Sequence, residues 1–168
     1  GGPTIEQNRV VFGAGILSDA LRLSFDPILS SLPGSVGTLQ LTVNTTAAIL
    51  LSNFDPSDPL GSHAIETFEF ADGTALTYVQ LVARGFDLTG TEGGDTIVGT
   101  ILADRVSGLH GEDVLRAGFG DDQLDGGTGN DQLLGGFGHD TYVFADGSGQ
   151  DLLFDLAGHD TVRMGEGI

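Results

Sequence analysis

The sequence predicts an all-β protein: a stack of short parallel strands wound from nine-residue repeats, preceded by a smaller β-rich module. Three observations predict it. Aspartates recur at Asp95, Asp104, Asp113, Asp122, Asp131 and Asp140, nine residues apart without a slip. Two residues after each stands an apolar or aromatic residue: Ile97, Val106, Leu115, Leu124, Leu133 and Tyr142. The first 89 residues lack that period and hold instead short alternating or β-branched runs bounded by turn residues.

Composition narrows the partners. The 168 residues include 24 acids and 6 basic residues, all of them arginine, for a formal net charge of −18. That balance argues against nucleic acid and anionic membrane surfaces as partners and points toward multivalent cations or plain solubility. There is no cysteine, so neither disulfides nor thiolate metal sites enter. No signal peptide is evident and no apolar run is long enough to insert in a bilayer. The opening Gly-Gly-Pro and closing Gly-Glu-Gly-Ile read as the ends of an excerpt.

Residues 1–89 carry nine acids against three arginines, a net of −6, whereas residues 90–168 carry fifteen against three, a net of −12. Fourteen of the 28 glycines lie between Gly90 and Gly138. The shift places a boundary near residue 89. In the first segment, strands are expected at 9–12 (RVVF), 21–25 (LRLSF), 38–43 (TLQLTV), 47–51 (AAILL) and 66–70 (ETFEF). Asp72-Gly73 signals a turn, ALTYVQLVA at 75–83 suits a strand or a short helix, and SNFDPSDPLG at 52–61 reads as a loop.

From residue 90 the unit is G-G-x-G-x-D-x-U-x, with U a large apolar residue, over residues 90–146. Glycine opens the units at Gly90, Gly99, Gly108, Gly126 and Gly135, with Ala117 the exception. Glycine permits a tight positive-φ turn that leaves several carbonyls pointing one way. Aspartate adds a short, hard, charged oxygen. Six to eight such oxygens at about 2.3–2.6 Å are what Ca²⁺ takes. The x-U-x triplet is a short strand with its centre facing inward, and two units make one coil, with strands stacking about 4.8 Å apart. After a two-residue insertion the beat resumes at Asp151/Leu153 and Asp160/Val162.

Residues 147–168 close the coil and also repeat the beginning of the chain. NRVVFGAGI at 8–16 matches DTVRMGEGI at 160–168, including Val10 with Val162 and Gly13-x-Gly15-Ile16 with Gly165-x-Gly167-Ile168. This sets the expectation of a tandem module about 150 residues long, with neighbouring copies as partners.

These nonapeptides resemble the RTX (repeats-in-toxin) family, closely over residues 90–143 and loosely over 144–163. The resemblance implies a right-handed parallel β-roll with several Ca²⁺ ions, each lying between loops two units apart. It implies Asp113 paired with Asp131, with carbonyls of Leu109, Gly111, Gly126 and Thr128. It likewise implies Asp122 with Asp140, with carbonyls of Gly118, Gly120, Gly135 and Phe137. Asp95 with Asp113 and Asp131 with Asp151 extend the scheme, and Gly108, Gly127 and Gly129 complete the backbone donors. Asp104 fits poorly, because its loop GTILAD places Leu102 where the turn wants glycine, and a weak or missing site is expected there. GAGI and FEFADGTALTYVQL in the first segment resemble the haemolysin-type calcium-binding-related module that accompanies such repeats.

Other motifs have simpler readings. VVFGAGILSDALRL mimics a dinucleotide loop, but Ser18 stands where the third glycine belongs. His63, His110, His139 and His159 fit no zinc spacing. Asn44-Thr45-Thr46 is a formal glycosylation sequon, and Asp26-Pro27, Asp55-Pro56 and Asp58-Pro59 read as loop starts rather than self-cleavage sites. No nucleophile–base set stands out, so no enzyme is expected. A glycine-rich, −18 chain of three-residue strands buries little without cations. The expectation is a calcium-binding structural module, secreted or at a bacterial cell surface, unfolded before export and folded outside as a stalk, adhesin or surface-array repeat. The competing classes are a non-catalytic RTX tail of a secreted enzyme or toxin, and a glycan- or partner-binding module.

Overall fold

The computed structural model describes residues 4–6, 8–26, 37–43, 46–61 and 63–165. Among them the chain is nearly all β. In the first segment, β1 (Thr4–Glu6) pairs antiparallel with β2 (Arg9–Val11), which runs parallel to β6 (Thr67–Glu69). Strand β7 (Ala75–Thr77) completes the order β1-β2-β6-β7. A second, antiparallel sheet holds β3 (Leu21–Ser24), β4 (Gly37–Val43) and β5 (Thr46–Phe54). Period-two alternation sets the faces: Leu21 and Leu23 are buried while Arg22 is exposed, and Leu39 and Leu41 are buried while Thr38 is exposed.

The expected runs become strands, with two refinements. ALTYVQLVA splits into β7 and one helical turn and a half, α1 (Tyr78–Val82). Thr77 makes the break: its hydroxyl accepts the Gln80 N–H at 3.2 Å while the Gln80 side chain accepts the Thr77 N–H at 2.9 Å. The loop expected from Ser52 begins later, at Asp55, because β5 runs to Phe54, which is buried among aromatic rings. Asp55 then starts the turn by accepting the Ser57 N–H at 2.9 Å. The GAGI stretch leads from β2 into a turn and a three-residue 3-10 segment (Ser18–Ala20), so no helix N-terminus follows it to hold a phosphate. Asn44, Thr45 and Pro27 lie outside the described residues.

From Phe86 onward the chain winds into two parallel sheets. One holds β8 (Phe86–Thr89), β10 (Asp104–Ser107), β12 (Gln123–Asp125), β14 (Thr141–Phe144) and β16 (Thr161–Met164). The other holds β9 (Thr96–Val98), β11 (Val114–Phe119), β13 (Gln132–Phe137) and β15 (Leu152–Phe154). Pairing advances by two units per coil: Val106 faces Leu124 and Leu124 faces Tyr142, while Ile97 faces Leu115 and Leu115 faces Leu133. The insertion is absorbed without changing faces, because Tyr142 still meets Val162 and Leu133 meets Leu153. The fold is a parallel β-roll.

Leu88, Val106, Leu124 and Tyr142 line one inner column and Ile97, Leu115 and Leu133 the other, all buried. They join the first segment in one continuous apolar cluster. The weld is aromatic: Phe25, Phe54 and Phe86 meet pairwise with ring centroids 5.3 to 5.6 Å apart. The far end is different. Leu152, Phe154, Leu156, Val162 and Met164 are exposed on the last coil. Among the described residues no helix is long and apolar enough to cross a membrane.

Candidate metal centre

Each repeat loop ends in its aspartate, and the aspartates of successive coils stand in two columns. The N–H of Asp95 donates to Oδ1 of Asp113 at 2.7 Å, that of Asp113 to Asp131 at 2.9 Å, and that of Asp131 to Asp151 at 2.9 Å. In the second column Asp104 donates to Asp122 at 2.7 Å, Asp122 to Asp140 at 2.9 Å, and Asp140 to Asp160 at 3.0 Å. The nine-residue phase therefore becomes two stacks of carboxylates, each with one oxygen anchored to the coil before it.

The second oxygen distinguishes the loops. Oδ2 of Asp113, Asp122, Asp131 and Asp140 is buried and without a hydrogen-bond partner. These four residues are each at most 2 % exposed. An ionised, unpaired oxygen in such a place costs several kcal/mol, so it calls for a cation. The first two loops are built otherwise. Oδ2 of Asp95 accepts the N–H (2.6 Å) and hydroxyl (2.9 Å) of Thr91. Oδ2 of Asp104 accepts the same two groups of Thr100, at 2.6 and 3.0 Å. Thus Asp104, which its sequence loop made a poor ligand, has its charge satisfied within its own loop, and so does Asp95.

Burial acts on the protons as well. It pushes the Asp122 carboxyl up to about 8, with the charges of Asp104, Asp140 and Asp121 adding to the effect against the Asp104 N–H. It pushes Asp104 up to about 6, against the Thr100 hydrogen bonds. Asp113, Asp140 and Asp151 are also raised, burial being the main cause.

The backbone donors lie beside these carboxylates. A Cβ on Gly108, Gly126 or Gly135 would overlap Oδ2 of Asp113, Asp131 or Asp140 respectively, so in these three loops the first glycine makes room for the orphan oxygen, while the Asp122 loop opens with Ala117. At the fourth position Gly129 has φ +143°, and a Cβ there would strike the carbonyl oxygen of Gly111 in the coil above. Gly120 and Gly138 repeat that relation. The Gly118 carbonyl likewise faces Gly136, and the Leu109 carbonyl faces Gly127. Leu109 holds φ +78° where the pattern has glycine. Its carbonyl accepts the Thr128 N–H at 2.9 Å, while the Thr128 carbonyl accepts the Gly111 N–H at 2.9 Å and the Phe137 carbonyl the Gly120 N–H at 3.0 Å. Each carbonyl keeps a second lone pair. Hard, anionic and carbonyl oxygens without nitrogen or sulfur suit Ca²⁺.

Two features escaped the sequence reading. Thr91 and Thr100 close their loops, and the signal was the G-T pair opening both units. Asp160 completes the second column; it was in phase but not placed in the ligand set. The histidines do not converge on a metal-like group among the described residues. His139 and His159 stack in adjacent coils at 5.5 Å, His110 pairs with Glu92 at 3.1 Å, and His63 stacks on Tyr78 at 3.9 Å.

Family models agree with this geometry. The RTX calcium-binding nonapeptide repeat matches residues 89–124, 107–142 and 143–168. The haemolysin-type calcium binding protein related domain matches residues 39–80. No curated protein and no solved structure matches. Such repeats bind Ca²⁺ at several repeat sites and are characteristic of secreted bacterial proteins. Residues 89–168 are thus RTX calcium-binding nonapeptide repeats wound as a parallel β-roll, preceded over residues 39–80 by a haemolysin-type calcium binding protein related domain.

Proposed function

We propose that this chain is a calcium-binding structural module, one repeat of a large secreted or cell-surface bacterial protein, that folds on Ca²⁺ outside the cell and serves in a stalk, adhesin or surface array. It has no catalytic role in this reading, because the buried carboxylates are committed to cations. Extracellular Ca²⁺ modules work at about 10⁻⁴–10⁻³ M, and binding energy at sites absent from the unfolded chain becomes folding energy.

The array is carried by one observation: β16 matches β2 in sequence but not in burial. Val10 and Phe12 are 0 % and 1 % exposed, whereas their equivalents Val162 and Met164 are 50 % and 58 % exposed. Strand β2 lies between β1 and β6, and among the described residues β16 is an edge strand beside β14. In a tandem array β16 takes the place of β2 in the following copy, beside that copy's β6, and Val162 and Met164 enter its core. Gly167 and Ile168, which complete the match, lie outside the described residues. A tail on a secreted enzyme leaves that match without a role.

The test compares one module with two in tandem. Far-UV circular dichroism from an EGTA-treated start is expected to gain β signal with Ca²⁺ and not with Mg²⁺. The two-module chain is expected to melt higher than the single one in Ca²⁺, and Val162→Asp in its first copy to remove the difference. Identical melting of one and two modules would leave beads on a string and defeat the array. A cleft of about 880 Å³ lined by Asn8, Asn53, Asp55, Asp58, His63 and Tyr78, among others, supports a second reading as a glycan-binding module, which one reproducible hit on a glycan array would favour.

A further inference from the structure

The last two loops break the glycine rule in the same way. After the Phe144-Ala145 insertion the loops 146–151 and 155–160 open with Asp146 and Asp155, where earlier units open with glycine or Ala117. The consequences differ. Asp155, Asp140 and Asp160 each offer a carboxylate oxygen within 4.8 Å of the others, and Asp146 joins no such group among the described residues.

Two further facts make this more than a cluster of acids. Asp140 is 1 % exposed, and its Oδ2 is buried with no partner. That oxygen and the Tyr142 hydroxyl both crowd the point where a Cβ on Gly135 would sit. The hydroxyl accepts the Gly135 N–H at 3.0 Å and donates to Oδ2 of Asp155 at 2.6 Å. Hence the orphan oxygen faces the Tyr142–Asp155 pair. Tyr142 stands in the inner column where Leu88, Val106 and Leu124 stand in earlier coils, and it alone among these four brings a hydroxyl. It holds Asp155 as a third carboxylate over the junction of loops 135–140 and 155–160.

We propose that Asp140, Asp155 and Asp160 form a three-carboxylate cation site, set apart from the two-aspartate pairs of the preceding coils, that takes the first Ca²⁺ and accepts a trivalent lanthanide in its place. It rests on the calcium-binding reading of the roll and deepens it. Affinity in oxygen-ligand sites rises with ligand charge and rigidity. Here the charge is three rather than two, and Tyr142 supplies the rigidity. The site also lies beside a tyrosine in a chain without tryptophan, so bound Tb³⁺ is lit by excitation of Tyr142.

The test is a Tb³⁺ titration of the full chain, folded in the lowest Ca²⁺ that gives the full β signal, with tyrosine-excited emission as readout and calorimetry for Ca²⁺ alone. Emission is expected to saturate at one ion per chain. Asp155→Asn is expected to weaken that first step by roughly tenfold, since charge count tunes such sites. Asp155→Gly restores the opening glycine of the other units, so it keeps the fold and is expected to weaken the step equally. Asp146→Asn is expected to change nothing, and Tyr142→Phe to abolish the sensitised emission. First-ion affinity unchanged in both Asp155 variants, or emission retained in Tyr142→Phe, would overturn the site. Failure of the calcium reading itself would look different, as a wild-type fold indifferent to Ca²⁺ and EGTA.

Discussion

Thr100 donates both its N–H, at 2.6 Å, and its hydroxyl, at 3.0 Å, to Oδ2 of Asp104, and Asp104 is 1 % exposed. A buried carboxylate is thereby satisfied by its own loop. Thr100→Val keeps the shape and the N–H but removes the hydroxyl. It is expected to lower stability by about 1–3 kcal/mol, the cost of leaving a buried polar group short of a partner. The loss is expected to be the same in Ca²⁺ and in EGTA, as denaturant melts in the two buffers would record. A loss confined to Ca²⁺ would mean that Thr100 serves an ion after all.

Asp122 differs in sign between conditions. Its Oδ2 is buried and unpaired and its carboxyl is pushed up to about 8, so Asp122→Asn spares the cation-free roll the cost of keeping that group protonated or, above that pH, of burying its uncompensated charge. In EGTA the variant is expected to be as stable as wild type or more so, by on the order of 1 kcal/mol. In saturating Ca²⁺ it is expected to be less stable and to bind fewer ions. Paired thermal melts check the crossing; destabilisation of equal size in both buffers would contradict it.

Acid is expected to substitute in part for calcium. The folded-state values of Asp104, about 6, and Asp122, about 8, lie above the ordinary 3.8. A raised value means that the folded state binds protons more tightly than the unfolded one. Their contribution is full below about pH 4 and is lost as the pH rises through about 6 and then about 8. In EGTA, β structure measured by circular dichroism is expected to fall across that window, and in Ca²⁺ to stay level through it. A calcium-free chain that gains β structure between pH 5 and 8 would refute the assignment.

Gly126 and Gly93 provide a matched pair. A Cβ at Gly126 would overlap Oδ2 of Asp131, whereas a Cβ at Gly93 would meet nothing within 4 Å. Gly126→Ala is expected to cost about 1–3 kcal/mol in Ca²⁺ and to reduce the number of bound ions. Gly93→Ala is expected to leave both unchanged. Ion counting by calorimetry together with denaturant melts distinguishes them.

Much of the roll was legible because its sequence period and its structural period coincide. Asp113, Asp122, Asp131 and Asp140 are in phase and stack; Ile97, Leu115 and Leu133 follow them by two and line the interior. What stayed hidden depends on contacts with no local signature. The Phe25–Phe54–Phe86 cluster joins residues far apart in sequence, and together with the pairing to β4 it carries β5 past its polar neighbours to Phe54. The break between β7 and α1 turned on the reciprocal hydrogen bonds of Thr77 and Gln80. Thr91 and Thr100 looked like ordinary turn residues until their hydroxyls met Asp95 and Asp104.

The aspartate bonds all point one way, from the backbone of each coil to the carboxylate of the next. At the start of the two columns threonines seal the carboxylates, and the Phe86 N–H lies 3.3 Å from Asp104 Oδ1. The roll is therefore polar in the sense that a filament is polar, and its start is plugged: a further coil inserted ahead of Gly90 meets a stopper.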